Sequence, residues 1–296
     1  MRRPLLSSLR QRGFTLLESV IVIVITGILA TIVAVFVRSP VEGYLASVRR
    51  AELTDQADMA LRRMLRDVRL ALPNSLRVTT DGGGVNYIEF IMTSAGGRYR
   101  DPSDGSTAGN FLSFTDNAQL AFDVLGAMPN NPAIAVGDYI VVYNLGPGYA
   151  PANAYVAADP CGACNRAKVA AIAGNVVTLA SNPFAGQSPP LPSPDGRFQV
   201  VPGGVRAVTY ACPTAAAGAG NLSRYANYGF VAAQPTPPAI APALLAVGNA
   251  TCTVDYSPGV LGRSGLLYVQ LTLSAGVGAN AESVTLFQQI HVDNSP

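Results

Sequence analysis

The hydrophobic pattern divides the chain sharply. Residues 14–37 (FTLLESVIVIVITGILATIVAVFV) form one apolar run in which Glu18 is the only ionisable side chain. At about 1.5 Å of rise per residue this run exceeds the ~20 residues that cross a bilayer core, and it predicts a membrane helix. A secretory signal would have a shorter apolar region and a small-residue cut site, whereas this run ends in Phe36-Val37-Arg38. A plain anchor has no use for a carboxylate at that depth, which costs about 3 kcal/mol on insertion scales.

Beyond Arg38 the pattern becomes amphipathic. Leu61, Met64, Leu65, Val68 and Leu72 recur at helical spacing and predict one apolar face, with Arg62, Arg63, Arg66 and Arg69 around the remainder and Pro73 ending the run. Pro40 predicts a kink or loosening, with the helix resuming by Val41. The four arginines suit an anionic surface, but Asp58 lies four residues before Arg62, Asp67 sits among them, and no aromatic side chains interleave to stack bases. A solvated or subunit-contacting face is expected, and no nucleic acid.

After Pro73 the period shortens. Residues 85–92, 139–143, 175–179, 197–201, 205–210, 266–273 and 283–291 are rich in β-branched and aromatic residues and are bounded by Gly, Pro, Asn or Asp. One long helix followed by strands predicts an α+β fold, in which residues 55–72 pack on a largely antiparallel sheet. Segments 98–109, 144–158 and 232–243 read as surface connections. A linker-like concentration of Pro and Gly falls at 182–194, with strands of the same sheet system on either side, so one globular domain with a lobe is expected. The resulting order is a leader at 1–13, an apolar helix at 14–37, its amphipathic continuation at 38–73 and a β-rich domain at 74–296.

Charge gives the orientation. Arg2, Arg3, Arg10 and Arg12 precede the apolar run with no acidic residue among them, so the leader stays cytoplasmic and everything after Val37 is exported. Without those four, the 20 basic residues fall to 16 against 18 acidic ones, and the exported part is slightly acidic. In an oxidising compartment the four cysteines suggest two disulfides, a local one between Cys161 and Cys164 and one between Cys212 and Cys252. The flanks of Cys161 and Cys164 do not supply the helix N-terminus of a redox motif, and the spacing after Cys164 fits no familiar zinc module.

Candidate chemistry is thin. His291 is the only histidine, so a triad or multi-histidine metal site would rest on it alone. Gly262-Arg263-Ser264-Gly265 falls short of a nucleophile elbow and reads as a glycine turn. Asp101 and Asp104 offer two carboxylates in a Gly/Ser loop without the rest of a calcium cage. No catalytic residue, metal site or cofactor is expected, and the chain reads as a structural protein.

The segment Arg12-Gly13-Phe14-Thr15-Leu16-Leu17-Glu18 resembles the processing site of the type IV pilin and pseudopilin family. That resemblance implies cleavage between Gly13 and Phe14 by a prepilin peptidase, N-methylation of Phe14, and assembly from the inner membrane with the C-terminal domain in the periplasm. Glu18 would then neutralise the α-amino group of Phe14 on a neighbouring subunit. Residues 38–44, 49–53, 60–64 and 72–75 look like the MshO minor pilins of the mannose-sensitive haemagglutinin (MSHA) system, with scattered matches afterwards. The Cys161/Cys164 pair and residues 232–243 depart from that pattern. The implied partners are the prepilin peptidase, other minor pilins and the major pilin. A type II secretion pseudopilin and a pilus-tip adhesin that binds through the loops at 98–109, 144–160 or 232–243 are the alternatives.

Overall fold

A computed structural model of the chain describes residues 13–102, 108–258, 264–276 and 281–296. The leader arginines, Asp104, Gly262 and Arg263 lie outside the described residues.

One α-helix, α1 (Leu16–Arg69), runs for 54 residues and passes through Pro40 without interruption. No interruption of the helix occurs at Pro40, where the sequence predicts a kink or loosening with the helix resuming by Val41. Proline removes one N–H from the ladder, and on this exposed stretch the carbonyl it frees can be satisfied from outside the helix. From Leu53 onward the helix belongs to a compact unit, Glu52–Pro296. Leu53, Ala57, Ala60, Leu61, Met64 and Val68 follow the a/d/e-type spacing of one helical face and are buried together.

That face covers a seven-stranded antiparallel sheet of β1 (Arg77–Thr80), β2 (Val85–Ile91), β9 (Ala207–Pro213), β10 (Gly220–Ala226), β11 (Ala243–Ser257), β12 (Ser264–Ala275) and β13 (Glu282–Asp293), in that spatial order. Alternate residues supply the core: Ile88 and Phe90, Val208 and Tyr210, Leu267, Val269 and Leu271 all turn toward the helix. The α+β architecture of a long helix on antiparallel sheet is present.

The remaining strands close on themselves. Strands β3 (Ala95–Tyr99), β4 (Ala121–Leu125), β5 (Tyr139–Val141), β6 (Arg166–Ala173), β7 (Val176–Leu179) and β8 (Arg197–Val201) form a six-stranded barrel in the order β3-β4-β7-β6-β5-β8. It is filled by residues such as Phe122, Phe198, Ile140, Val169 and Val177. At Gly97 an added Cβ would lie 2.6 Å from the Phe198 ring, so glycine makes room for that ring inside the barrel. The whole barrel is inserted between β2 and β9, which are themselves neighbours in register from Val85↔Pro213 to Ile91↔Ala207. The sheet is therefore complete without the barrel, and the strands make two systems where one was expected.

A third cluster joins them. Leu72, Ile91 and Ala207 from the helix end and sheet pack with Tyr139, Val141, Val201, Tyr155 and Phe230. The expected surface segment 144–158 contributes to this junction: Ala152, Ala154 and Tyr155 are buried, and Tyr155 donates to the Ser75 carbonyl at 2.7 Å. Asn144 holds the segment by donating to the Pro73 carbonyl and accepting from the Ala154 N–H. Arg98 and Tyr99, expected in a loop, end β3, and residues 182–194 connect β7 to β8 within the barrel.

Candidate functional site

The residues around the predicted cut are described from Gly13. An added Cβ there would meet nothing within 4 Å, so no packing in the folded chain requires glycine at this position. Phe14 is exposed. Thr15 caps the helix: its Oγ1 accepts from the Glu18 N–H at 3.2 Å, and its carbonyl accepts from the Ser19 N–H at 3.1 Å.

Thr15 and Glu18 have the spacing of a capping box, with Glu18 in the first turn where the amide dipoles favour a negative charge. Helix geometry thus supplies a reason for Glu18 independent of any neighbour. The sequence contains this signal, a threonine three residues before a glutamate at the head of an apolar run, although the cut site draws attention away from it.

The rest of the run has no uncovered polar group of its own. Thr26 Oγ1 donates to the Val22 carbonyl at 2.7 Å and Thr31 Oγ1 to the Gly27 carbonyl at 2.8 Å, so both hydroxyls are satisfied inside the helix. Every large apolar side chain from Phe14 to Val37 is between 48% and 83% exposed. An uninterrupted apolar surface of this length needs lipid or neighbouring helices to cover it.

Residues 8–34 match the family described as "Prokaryotic N-terminal methylation motif". The chain carries a prepilin-type methylation motif. This motif supports a type IV pilin-like or pseudopilin protein, and with the apolar helix it supports membrane anchoring. It implies processing by a prepilin peptidase and association with pilus components, and it points to a structural subunit. No curated protein and no solved structure matches the chain.

The other candidate residues are scattered over the β-rich unit. Cys161 and Cys164 form one disulfide in the connection between β5 and β6, and Cys212 on β9 is bonded to Cys252 on β11. The second bond bridges two strands that β10 separates elsewhere, at the end where β10 is bulged against β11. His291 is exposed on β13. Among the described residues, no three His, Cys, Asp or Glu side chains gather as a metal site.

Arg62, Arg63 and Arg66 line a cleft of about 410 Å³ with Gln56, Met59 and Leu245. Asp58 pairs with Arg62 at 2.6 Å, and its hydrogen bond and charge hold that guanidinium pKa above the usual value. Asp67 does not neutralise its helical neighbours. It is buried and accepts from Arg224 Nε at 2.7 Å and from the Tyr210 hydroxyl at 2.8 Å.

Glu89 was not legible as special in an apolar strand. It is wholly buried, accepting from Arg77 Nε at 2.6 Å and from the Tyr228 hydroxyl at 2.8 Å. Burial raises its pKa above the ordinary glutamate value, and the bonds from Arg77 and Tyr228 offset only part of that rise. Arg166 is likewise sealed in, donating to the Ala154, Val156 and Ala158 carbonyls with its guanidinium 4.1 Å from the Phe230 ring centre. These charges hold segments together: Arg77 also donates to the carbonyls of Val231 and Ala232, and Arg166 gathers the connection from Ala154 to Ala158.

Proposed function

We propose that this chain is a minor-pilin-like structural subunit of a type IV pilus of the MSHA kind, acting in pilus assembly or initiation. The observation that carries the reading is the methylation motif at 8–34 running directly into an apolar helix with no cover of its own. Prepilin peptidase cuts between Gly13 and Phe14, and Phe14 is then N-methylated. The helix holds the subunit in the inner membrane with residues after Val37 in the periplasm, as the leader arginines dictate.

In the assembled state Glu18 neutralises the α-amino group of a neighbour's Phe14. That amine is new at the cut, and a positive charge at a helix N-terminus opposes the amide dipoles. A carboxylate in the first turn of the adjacent helix compensates both charges in a medium where neither is stable alone. The other minor pilins and the major pilin are the partners. The open space at Gly13 fits a glycine kept for the peptidase rather than for the fold.

Intact-mass or N-terminal analysis of the membrane-derived protein tests the reading. A mature chain beginning at methylated Phe14 supports it, whereas an intact Met1 rejects assembly and leaves a signal-anchored protein. Deletion then separates systems: loss of pili supports the pilus subunit, and loss of exoprotein export with pili intact assigns a secretion pseudopilin instead.

A further inference from the structure

Arg206 immediately precedes β9 and Asn227 immediately follows β10, where the two strands end their ladder at Ala226↔Val208. Both residues have left-handed φ, +55° and +68°, which side chains other than glycine seldom adopt. Hydrogen bonds enforce that state. The Arg206 N–H donates to the Pro202 carbonyl at 3.0 Å, the Arg206 carbonyl accepts from the Met92 N–H at 2.9 Å, and the Asn227 N–H donates to the Val205 carbonyl at 2.9 Å.

The two side chains meet as well, Arg206 Nη2 donating to Asn227 Oδ1 at 2.9 Å. Among the described residues this is the one hydrogen bond of the guanidinium, and no carboxylate pairs with it. Arg206 Nε is withdrawn from solvent without an acceptor, a state that buried donors rarely keep. Asn227 Nδ2 has no acceptor in the chain either.

Both residues line a cleft of about 500 Å³, the size of a small-molecule site. Tyr228 lines it too, but its hydroxyl is committed to Glu89 and Thr209. The rest of the wall is apolar, with Val231, Pro235, Pro238 and Ile240. This wall is held in place before any ligand arrives. Arg77 donates to the Val231 and Ala232 carbonyls, Gln234 Nε2 to the Tyr87 carbonyl at 2.9 Å, and the Ile240 N–H to the Pro238 carbonyl at 2.9 Å. The prolines fix their own φ and offer no donor.

We propose that this cleft binds a carboxylate carried on a small apolar body, with the carboxylate on Arg206 and Asn227 and the body on the proline wall. A guanidinium presents parallel N–H groups that match the two oxygens of a carboxylate. Among the described residues lining the cleft Arg206 alone is charged, which suits a single negative charge rather than a phosphate dianion. Sugars are disfavoured, because Val231, Pro235, Pro238 and Ile240 would leave their hydroxyls unpaired.

The full chain in non-ionic detergent carries isotope-labelled arginine, and the Arg206 Nε–H signal, identified by its loss in Arg206→Gln, is followed as N-acetyl-leucine is added. A saturable shift with a Kd of about 1–10 mM is expected, and none from N-acetyl-leucinamide, which has the same body without the charge. Binding by the variants is read from saturation transfer to the ligand methyls. Arg206→Gln removes the charge, and Asn227→Asp gives the guanidinium a carboxylate of the chain's own; each weakens binding at least about 10-fold. Asp tolerates left-handed φ and keeps the acceptor for Arg206, so Asn227→Asp melts like the parent and separates lost binding from lost fold. The tripeptide acetyl-alanyl-alanyl-leucine distinguishes the sources of the carboxylate. Affinity no better than that of N-acetyl-leucine assigns a free small molecule; affinity about 10-fold tighter, lost on amidation, assigns the C-terminus of a protein chain. Equal binding of acid and amide, no saturable shift up to about 20 mM, or unchanged binding by Asn227→Asp overturns the proposal. Such a failure leaves the assembly reading intact, because the cleft uses no residue of the methylation motif.

Discussion

Asp67 of the helix and Arg224 of β10 meet at 2.7 Å, and both are largely withdrawn from solvent. Burial works against the Arg224 charge, but the hydrogen bond and charge of Asp67 outweigh it and leave the arginine pKa raised. Tyr210 of β9 donates to the same carboxylate oxygen, so one helical side chain holds two neighbouring strands. Removing one member of a buried pair leaves an uncompensated charge. Asp67→Ala is expected to cost about 3 kcal/mol and to lower the melting temperature by roughly 10 °C in the detergent-solubilised chain. Asp67→Asn, which keeps an acceptor for Tyr210, should lose less. Equal melting of Asp67→Ala and the parent would remove the pair from any account of stability.

Glu89 makes stability depend on pH in an unusual direction. Its folded pKa lies above the unfolded value, because burial penalises the carboxylate more than Arg77 and Tyr228 reward it. The folded state therefore binds this proton more tightly than the unfolded chain. The resulting stabilisation is fully present below the unfolded value of ~4.3 and is lost as pH rises through the folded pKa. Glu89→Gln removes the titration while keeping an acceptor. Relative to that variant, the parent should gain stability as pH falls from 7 toward 4.5, measured as the difference between two melting curves at each pH. A parent that loses ground on acidification would mean that Arg77 dominates and the pKa is lowered.

The two disulfides should contribute unequally. Cys212 and Cys252 are 40 residues apart in sequence, and closing a loop of that length is worth about 3–4 kcal/mol by chain entropy. Cys161 and Cys164 are separated by three, which by the same relation is worth only about 1.5 kcal/mol. Replacing the first pair by serine should lower the urea midpoint by at least twice as much as replacing the second. The reverse order would show that the connection around Arg166 depends on its bond more than loop length accounts for.

The elements readable from the sequence were those whose burial is one-sided or complete. Residues 85–92 and 266–273 fall on β2 and β12, and the face formed by Leu61, Met64 and Val68 lies on the sheet. What escaped was β-structure written in small residues. Strands β3 (AGGRY), β6 (RAKVAAIA) and much of β11 (ALLAVGNATCTVDYS) have alanine and glycine where propensity looks for branched side chains. In β3 the reason is tertiary, since Gly97 yields its volume to Phe198. The barrel was hidden for the same reason, as closure is a property of pairing between distant segments. Within the methylation motif the order of Gly13, Phe14 and Glu18 predicts a cut that the fold itself does not test, whereas the Thr15 cap follows from a threonine three residues before a glutamate. The burial of Asp67 could not be foreseen, because its partner Arg224 lies 157 positions away, whereas Glu89 has Arg77 only 12 positions off and is hidden by the covering of β2 on both faces.

Glu18 has one place in the helix and one role proposed in assembly, and two substitutions divide them. As the residue three beyond the Thr15 cap, with its backbone N–H bonded to Thr15 Oγ1, it stands where a capping box places glutamate or glutamine. As a carboxylate in an apolar run it supplies the charge proposed to meet a neighbour's amine, which glutamine cannot do. Glu18→Gln and Glu18→Ala should both be inserted and cut after Gly13, because the glycine and the leader are untouched, and intact mass checks this. Both should then be missing from the assembled complex when sheared and membrane fractions are compared by immunoblot. If Glu18→Gln assembles normally while Glu18→Ala does not, the helix cap is what assembly needs and the inter-subunit charge pair is wrong. If both assemble, the cost of keeping a carboxylate in this run has some other cause, and the motif serves only export and processing.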